Sequence, residues 1–237
     1  MSVPIYNISH YEFRKCLKRT RRAIVPVGSL EQHGAHLPVS TDCLISERVA
    51  TRVADAAKCF VLPVISYGVS FEHLPMFNVS LRNSTLSDVL CEVCVSLSSQ
   101  GITEIIFING HHGNIGVLQY ISQNLDAKIR TKSSIYAINY WSGMQKELDH
   151  AGEVETSLVL AISPQLVRMD KAEPNFKRLS KSRIAYSTIT TTPGSFPKVT
   201  GNGVWGEPRS ASKEKGDRLL KEIVRNLVHI ISELPQE

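Results

Sequence analysis

The stretch SLEQHGAHLPVSTD, residues 29–42, puts two carboxylates and two imidazoles into one short loop, with Gly and Pro between them. A segment chosen only to reverse the chain has no need of Glu31, His33, His36 and Asp42 together. Glu31 and His33 are two residues apart, so in extended backbone their side chains point the same way. His111 enters from NGHHGN, residues 109–114. One Glu, one His and an Asp can form a metal site. His33 with the other oxygen of Asp42 can begin a second. Mixed imidazole and carboxylate ligands suit Zn, Mn or Fe(II) rather than Mg or Ca. Paired ions about 3.5–4 Å apart acidify the water between them and polarise a carbonyl, which is hydrolytic chemistry. A C–N bond is a good target because its leaving amine needs a proton, and His150 or Glu155 can supply it.

Other residues read differently. His36 and His112 each neighbour a better-placed candidate, and fit groups that orient ligands by hydrogen bonds. His73, beside Glu72, either lines a substrate pocket or bonds its own loop. Glu153 reads as exposed on a helix. Six of the eight histidines fall in four segments, 29–42, 66–74, 109–114 and 149–157. Unrelated core histidines would not concentrate so.

The elements that must position these groups alternate. Apolar runs at 23–27 (AIVPV), 60–65 (FVLPVI), 104–108 (EIIFI) and 134–140 (SIYAINY) read as strands. Helical spacing appears at 43–57, at about 85–100 with a capping-box-like Thr85 and Asp88, from Asn114 towards Leu125, at 153–162, and in a stripe from Leu219 to Leu234. Continuous apolar strands imply burial on both faces, hence a mostly parallel sheet covered by helices, a three-layer α/β/α fold. Ligands bind beyond the carboxyl ends of such strands, where the four segments begin. One domain over residues 1–237 is expected. Residues 173–209, rich in Pro, Gly, Ser and Thr, read as an irregular excursion, with a small hairpin and a covering role both open.

Composition excludes several classes. Hydrophobic residues make up 42% and charged residues 21% of the 237, an ordinary globular balance. No apolar run approaches the length that spans a bilayer. The N-terminal segment lacks the order of a secretion signal, so a cytoplasmic protein is expected. Five scattered cysteines argue against a disulfide framework. Cys91 and Cys94 sit within a helical apolar pattern and read as packing groups. The net charge of +5 is concentrated in FRKCLKRTRRA, residues 13–23, where Phe13, Cys16 and Leu17 fit the buried face of a helix with solvated cations; a nucleic-acid partner is not expected. The glycines at 110, 113 and 116 lack the dinucleotide-binding spacing.

Three spaced stretches carry a resemblance: PVGSLEQHGAHLPVSTD (26–42), NGHHGN (109–114) and HAGEVETSLVLAISPQLV (150–167), with a weaker one at YGVSFEH (67–73). They resemble the creatininase family of metal-dependent amidohydrolases. The resemblance implies a three-layer fold, two divalent metal ions per subunit, hydrolysis of a non-peptide C–N bond and a homo-oligomer of two to six subunits. It implies Glu31, Asp42 and His111 on one metal, His33 and Asp42 on the other, and His150 in proton transfer. Creatininase proper has Glu at the position of Gly113, a ligand of the second metal; here Glu155 or water would complete that site. The Gly form resembles two other branches. One deformylates a formylamino-ribosylaminopyrimidine monophosphate in flavin and deazaflavin biosynthesis and uses iron. The other processes the mycofactocin precursor peptide. The basic charge, and backbone donors where a helix opens at Asn114, favour a phosphorylated small-molecule substrate and hence the deformylase. His73, His112 and Asn114 are the expected substrate contacts.

Overall fold

The computed structural model describes residues 3–125, 133–174 and 193–235. Five parallel strands form one sheet in the order β1-β3-β2-β4-β5. They are β1 (Val3–Pro4), β2 (Arg22–Val27), β3 (Phe60–Val61), β4 (Glu104–Asn109) and β5 (Ser134–Asn139).

Successive side chains of a strand face opposite sides, and both sides of the central strands β2 and β4 are dry. Ala23, Val25 and Val27 of β2, with Ile105 and Phe107 of β4, pack into one core with Phe13, Leu86, Leu90 and Cys94. Ile24, Ile106 and Ile108 pack into a second core with Ile45, Val49, Val154, Leu158, Ile223 and Leu227. Hence β2 and β4 are apolar runs beyond their first residue rather than alternating. The first core is covered by α1 (His10–Cys16), α3 (Asn83–Ser99), α4 (Ile115–Gln119) and α5 (Ile121–Asn124). The second is covered by α2 (Thr41–Ala57), α6 (Glu153–Ile162) and α8 (Lys213–Ser232). A further short helix, α7, spans Ser195–Thr200. The three-layer expectation holds.

Several boundaries differ from expectation. The run at 60–65 pairs only at Phe60–Val61, with an isolated bridge from Ile65 to Val27, because Pro63 interrupts the ladder. Helix α3 begins at Asn83, two residues before the expected cap, and its N-cap Arg82 makes no side-chain cap bond. The helix expected from Asn114 to Leu125 is broken at Tyr120, whose φ of −109° and ψ of 14° leave the helical region. Phe13 and Leu17 are buried as expected. Cys94 is buried within α3, and all five cysteines are free. Of the excursion at 173–209, residues 175–192 lie outside the described residues. The rest holds α7 and an antiparallel bridge from Trp205 to His150, and no hairpin among the described residues. No described helix is long and apolar enough to cross a membrane.

Helices α6 and α8 cross closely. A Cβ at Gly216 would overlap the carbonyl oxygen of Ser157 and meet Ala161 Cβ at 2.9 Å. Gly216→Ala should therefore force the two helices apart. A loss of about 1–3 kcal/mol, the usual range for overpacking, is expected in urea denaturation. An unchanged midpoint would contradict this packing.

Candidate metal centre

Strands β2 and β4 are paired in register along their full length, so Val27 and Asn109 end side by side. The loops at 28–40 and 110–114 therefore leave the same edge together. Asp42 lies in the first turn of α2, where the helix dipole favours a carboxylate. All four segments bring ionisable groups here: Glu31 and His33 from the first loop, Glu72 and His73 from the segment after β3, His111 from the loop after β4, and Glu155 from α6.

Asp42 stands in the middle. Its Oδ2 is 3.1 Å from His111 Nδ1, and Glu31 Oε2 is 3.2 Å from the same nitrogen. Its Oδ1 is 3.2 Å from His33 Nε2, which is 3.6 Å from Glu155 Oε2. All five residues are buried. They form two groups of three, Glu31–Asp42–His111 and His33–Asp42–Glu155, sharing Asp42 and each close enough to hold one ion.

Hydrogen bonds fix which nitrogen of each imidazole faces this cluster. His111 Nε2 lies 2.8 Å from the Val69 carbonyl, which can only accept, so His111 donates there and offers Nδ1 inward. His33 Nδ1 lies 3.1 Å from the Glu31 carbonyl and leaves Nε2 for the cluster. Lone pairs thus face carboxylate oxygens. Both Glu31 oxygens, Asp42 Oδ2 and His33 Nε2 are buried without an aligned hydrogen-bond partner. Acceptors crowded on acceptors need a cation between them, a divalent ion or added protons. On His33 burial pushes the pKa down, but the charges of Asp42 and Glu155 outweigh it and raise it to about 10. His111 is raised as well: burial opposes, while Glu31 and Asp42 prevail. That demand for positive charge is what a metal site shows before the metal competes for it.

The remaining residues surround the cluster. His150 stacks on His33 with centroids 4.3 Å apart. Its Nε2 is 3.1 Å from the Gln32 carbonyl. Burial, then the charges of His33 and His73, hold its pKa well below the usual value. His73 Nε2 approaches Glu31 Oε1 at 3.1 Å. Burial likewise lowers the pKa of His112, which stacks on Trp141 at 6.4 Å. A small cavity is lined by Glu31, Asp42, Glu72, His111, His112 and Asp149, among others. His73, His150, Glu155 and Phe196 also line it.

Asn114, an expected substrate contact, and His36, read as orienting ligands rather than binding metal, both lie outside the cluster. Asn114 is fully buried, and its amide is committed to the protein: Oδ1 accepts from Val69 N at 3.0 Å, and Nδ2 donates to the Gly28 carbonyl at 3.0 Å. The structure does not bring it to the cavity, and α4 behind it has only five residues, too few for an anion site. His36 bonds Thr156 Oγ1 at 2.9 Å and joins neither group of three.

Sequence reasoning missed three residues. Asp149 caps α6, accepting from Val154 N at 3.0 Å and Glu155 N at 3.4 Å, and so sets where Glu155 begins its turn. Phe196 of α7 packs on both His73 and His150, each at 4.7 Å. Gln32 contacts His73 and His150. Only Gln32 left a signal, a polar residue between two candidate ligands. Gly113 has a steric reason: a Cβ there would overlap the Val69 carbonyl and meet His111 Nε2 at 2.5 Å. The carbonyl that orients His111 thus excludes a side chain at 113.

A family model described as creatinine amidohydrolase matches residues 7–231. The chain is 25% identical over 239 residues to the creatinine amidohydrolase of Pseudomonas putida, covering 89% of this chain and 88% of that one. It is 31% identical over 221 residues to the mycofactocin precursor peptide peptidase of Mycobacterium ulcerans, covering 88% and 84%. A 2-amino-5-formylamino-6-ribosylaminopyrimidin-4(3H)-one 5'-monophosphate deformylase of Methanococcus voltae is 30% identical over 131 residues, 54% of this chain and 46% of that one. A crystal structure of creatinine amidohydrolase superposes with a TM-score of 0.81 at 24% identity, covering 100% of this chain and 99% of that one, a likeness of fold.

If Asp42 joins the two groups, Asp42→Ala should abolish uptake of both ions, and Glu155→Gln should weaken one of them. His36→Ala should leave metal content unchanged. Metal analysis of the purified proteins, with circular dichroism to show folding, checks this. A folded Asp42→Ala protein retaining two ions would contradict the shared ligand.

Proposed function

Because this chain belongs to the creatininase family of metal-dependent amidohydrolases, we propose that it hydrolyses a C–N bond of a small uncharged or cationic amide at a centre holding two divalent ions. The observation that carries this is the pair of groups sharing Asp42, with each imidazole locked to present a bare nitrogen. Glu31, Asp42 and His111 would hold one ion, and His33, Asp42 and Glu155 the other. Zn, Mn and Fe(II) all suit this donor set. Bound there, such ions supply a polarised carbonyl and an acidified water.

The chain's own residues do the rest. His150 is held neutral by burial, with Nε2–H given to the Gln32 carbonyl, so Nδ1 is the atom that takes a proton and returns it to the leaving nitrogen. Glu31 Oε1 lies 3.8 Å from that Nδ1 and supports the charge that forms. Phe196, packed on His73 and His150, closes one wall and keeps bulk water from the imidazoles. His112, stacked on Trp141, offers a flat face to a planar amide.

Substrate charge separates the candidate activities. Among the described residues, the cavity wall carries carboxylates, imidazoles, Leu148 and Phe196 and neither Lys nor Arg. That supports an unphosphorylated substrate, such as creatinine or a short peptide amide. A second reading, deformylation of the formylamino-ribosylaminopyrimidine monophosphate, draws on the net charge of +5 and on Lys177, Arg178, Lys181 and Arg183, which lie outside the described residues.

The test uses protein loaded anaerobically with Zn, Mn or Fe(II). Creatinine hydrolysis, amine release from short peptides and formate release from the formylated nucleotide are followed side by side. Turnover of an unphosphorylated amide, lost on chelation, is expected. Formate release alone would overturn the substrate charge argued here and establish the second reading.

A further inference from the structure

Gln32 lies between Glu31 and His33 in the chain, but its amide reaches other partners. Nε2 is 2.9 Å from His73 Nδ1 and 3.2 Å from the Gly203 carbonyl. Oε1 accepts the N–H of Gly34 at 3.0 Å. These two backbone partners decide which end of the amide is which, since Gly34 N can only donate and Gly203 O can only accept. The two amide hydrogens then go to Gly203 O and His73 Nδ1.

Consequences follow for both imidazoles. His73 Nδ1 accepts and so carries no proton, which places the ring proton on Nε2, 3.1 Å from Glu31 Oε1. The backbone of the same residue acts on His150. The Gln32 carbonyl, 3.1 Å away, can only accept, so His150 Nε2 carries its proton and Nδ1 is bare. The approach of Gln32 Nε2 to His150 Nε2 at 3.2 Å is then donor beside donor, a packing contact for which no amide hydrogen remains. Both rings are buried and lie against Phe196, so these bonds determine the tautomers.

We infer that Gln32 is a positioning residue: its side-chain amide fixes His73 as the tautomer with its proton on Nε2, the nitrogen nearer Glu31, while its carbonyl makes His150 present a bare Nδ1. The protonated Nε2 of His73 then sets partial positive charge 3.1 Å from Glu31 Oε1, without an aligned hydrogen bond to it. The tautomers follow from the hydrogen bonds alone; the effect on metal affinity rests on the two-ion reading above.

The experiment is nitrogen NMR of 15N-histidine-labelled, Zn-loaded protein, with the His73 signals assigned by their loss in His73→Gln. The wild type should show His73 and His150 protonated at Nε2 only. In Gln32→Glu the amide donor becomes an acceptor, so His73 should gain a proton at Nδ1. Zn affinity, measured by competition with a chromophoric chelator, should fall about 10–100-fold, as for loss of a residue that orients a metal ligand. Gln32→Met keeps the length and removes the donor without adding charge; His73 should then show a mixture of tautomers. If Gln32→Glu does not fold, Gln32→Met carries the test. His73 protonated at Nδ1 in the wild type would overturn the inference. So would a His73 pattern unchanged in the folded variants. A wild type that takes up no Zn would defeat the metal reading, while its His73 pattern would still decide the role of Gln32.

Discussion

Lone pair against lone pair in a dry interior is the constraint on which this structure turns. Asp42 offers one oxygen to His111 Nδ1 and the other to His33 Nε2, and both nitrogens are bare when the outer bonds to Val69 and Glu31 are made. Such an arrangement is stable only around positive charge. Much of the surrounding architecture serves to hold it open. Register between β2 and β4 delivers the two loops side by side. The N-terminus of α2 supports Asp42. Asp149 ties down the first turn of α6 so that Glu155 meets the cluster.

Much of this was legible in the sequence, for a physical reason. A parallel sheet covered on both faces needs unbroken apolar strands, and AIVPV and EIIFI, short apolar runs each followed by glycine within two residues, meet that need. Once those strands were placed, the loops after them had to share an edge. Glu31, His33, Asp42 and His111 were recognisable by type and position. Element ends were less legible. Pro63 shortened β3 within an apolar run, and the break at Tyr120 has no breaker residue to announce it. The first is a local effect inside an apolar run, and the second shows only in the backbone angles of Tyr120.

Contacts distant in sequence were invisible. Gln32 meets His73 across 41 residues and Gly203 across 171. Phe196 comes from a stretch without clear periodicity. Nothing in spacing alone says that a phenyl ring will lie on two imidazoles. Asn114 illustrates the opposite error. Its position at a helix start suggested an anion contact, but the chain uses its amide to fasten three loops together.

The absence of a side chain at 113 ties the geometry to the chemistry. Val69 O occupies the space where that side chain would begin, and the same oxygen holds His111 in its ligating tautomer. A carboxylate for the His33 side must then come from another element, and Glu155 lies within reach on α6. Glu72 fills part of the space beside Gly113, with Oε1 3.8 Å from both His73 and His111. With two divalent ions bound, Glu31, Asp42 and Glu155 would leave one positive charge, and two further carboxyl groups, Glu72 and Asp149, both raised in pKa by burial, line the same cavity. Carboxyl groups and imidazoles, with no Lys or Arg among the described lining residues, set the field at this cavity, whatever the net charge of the protein.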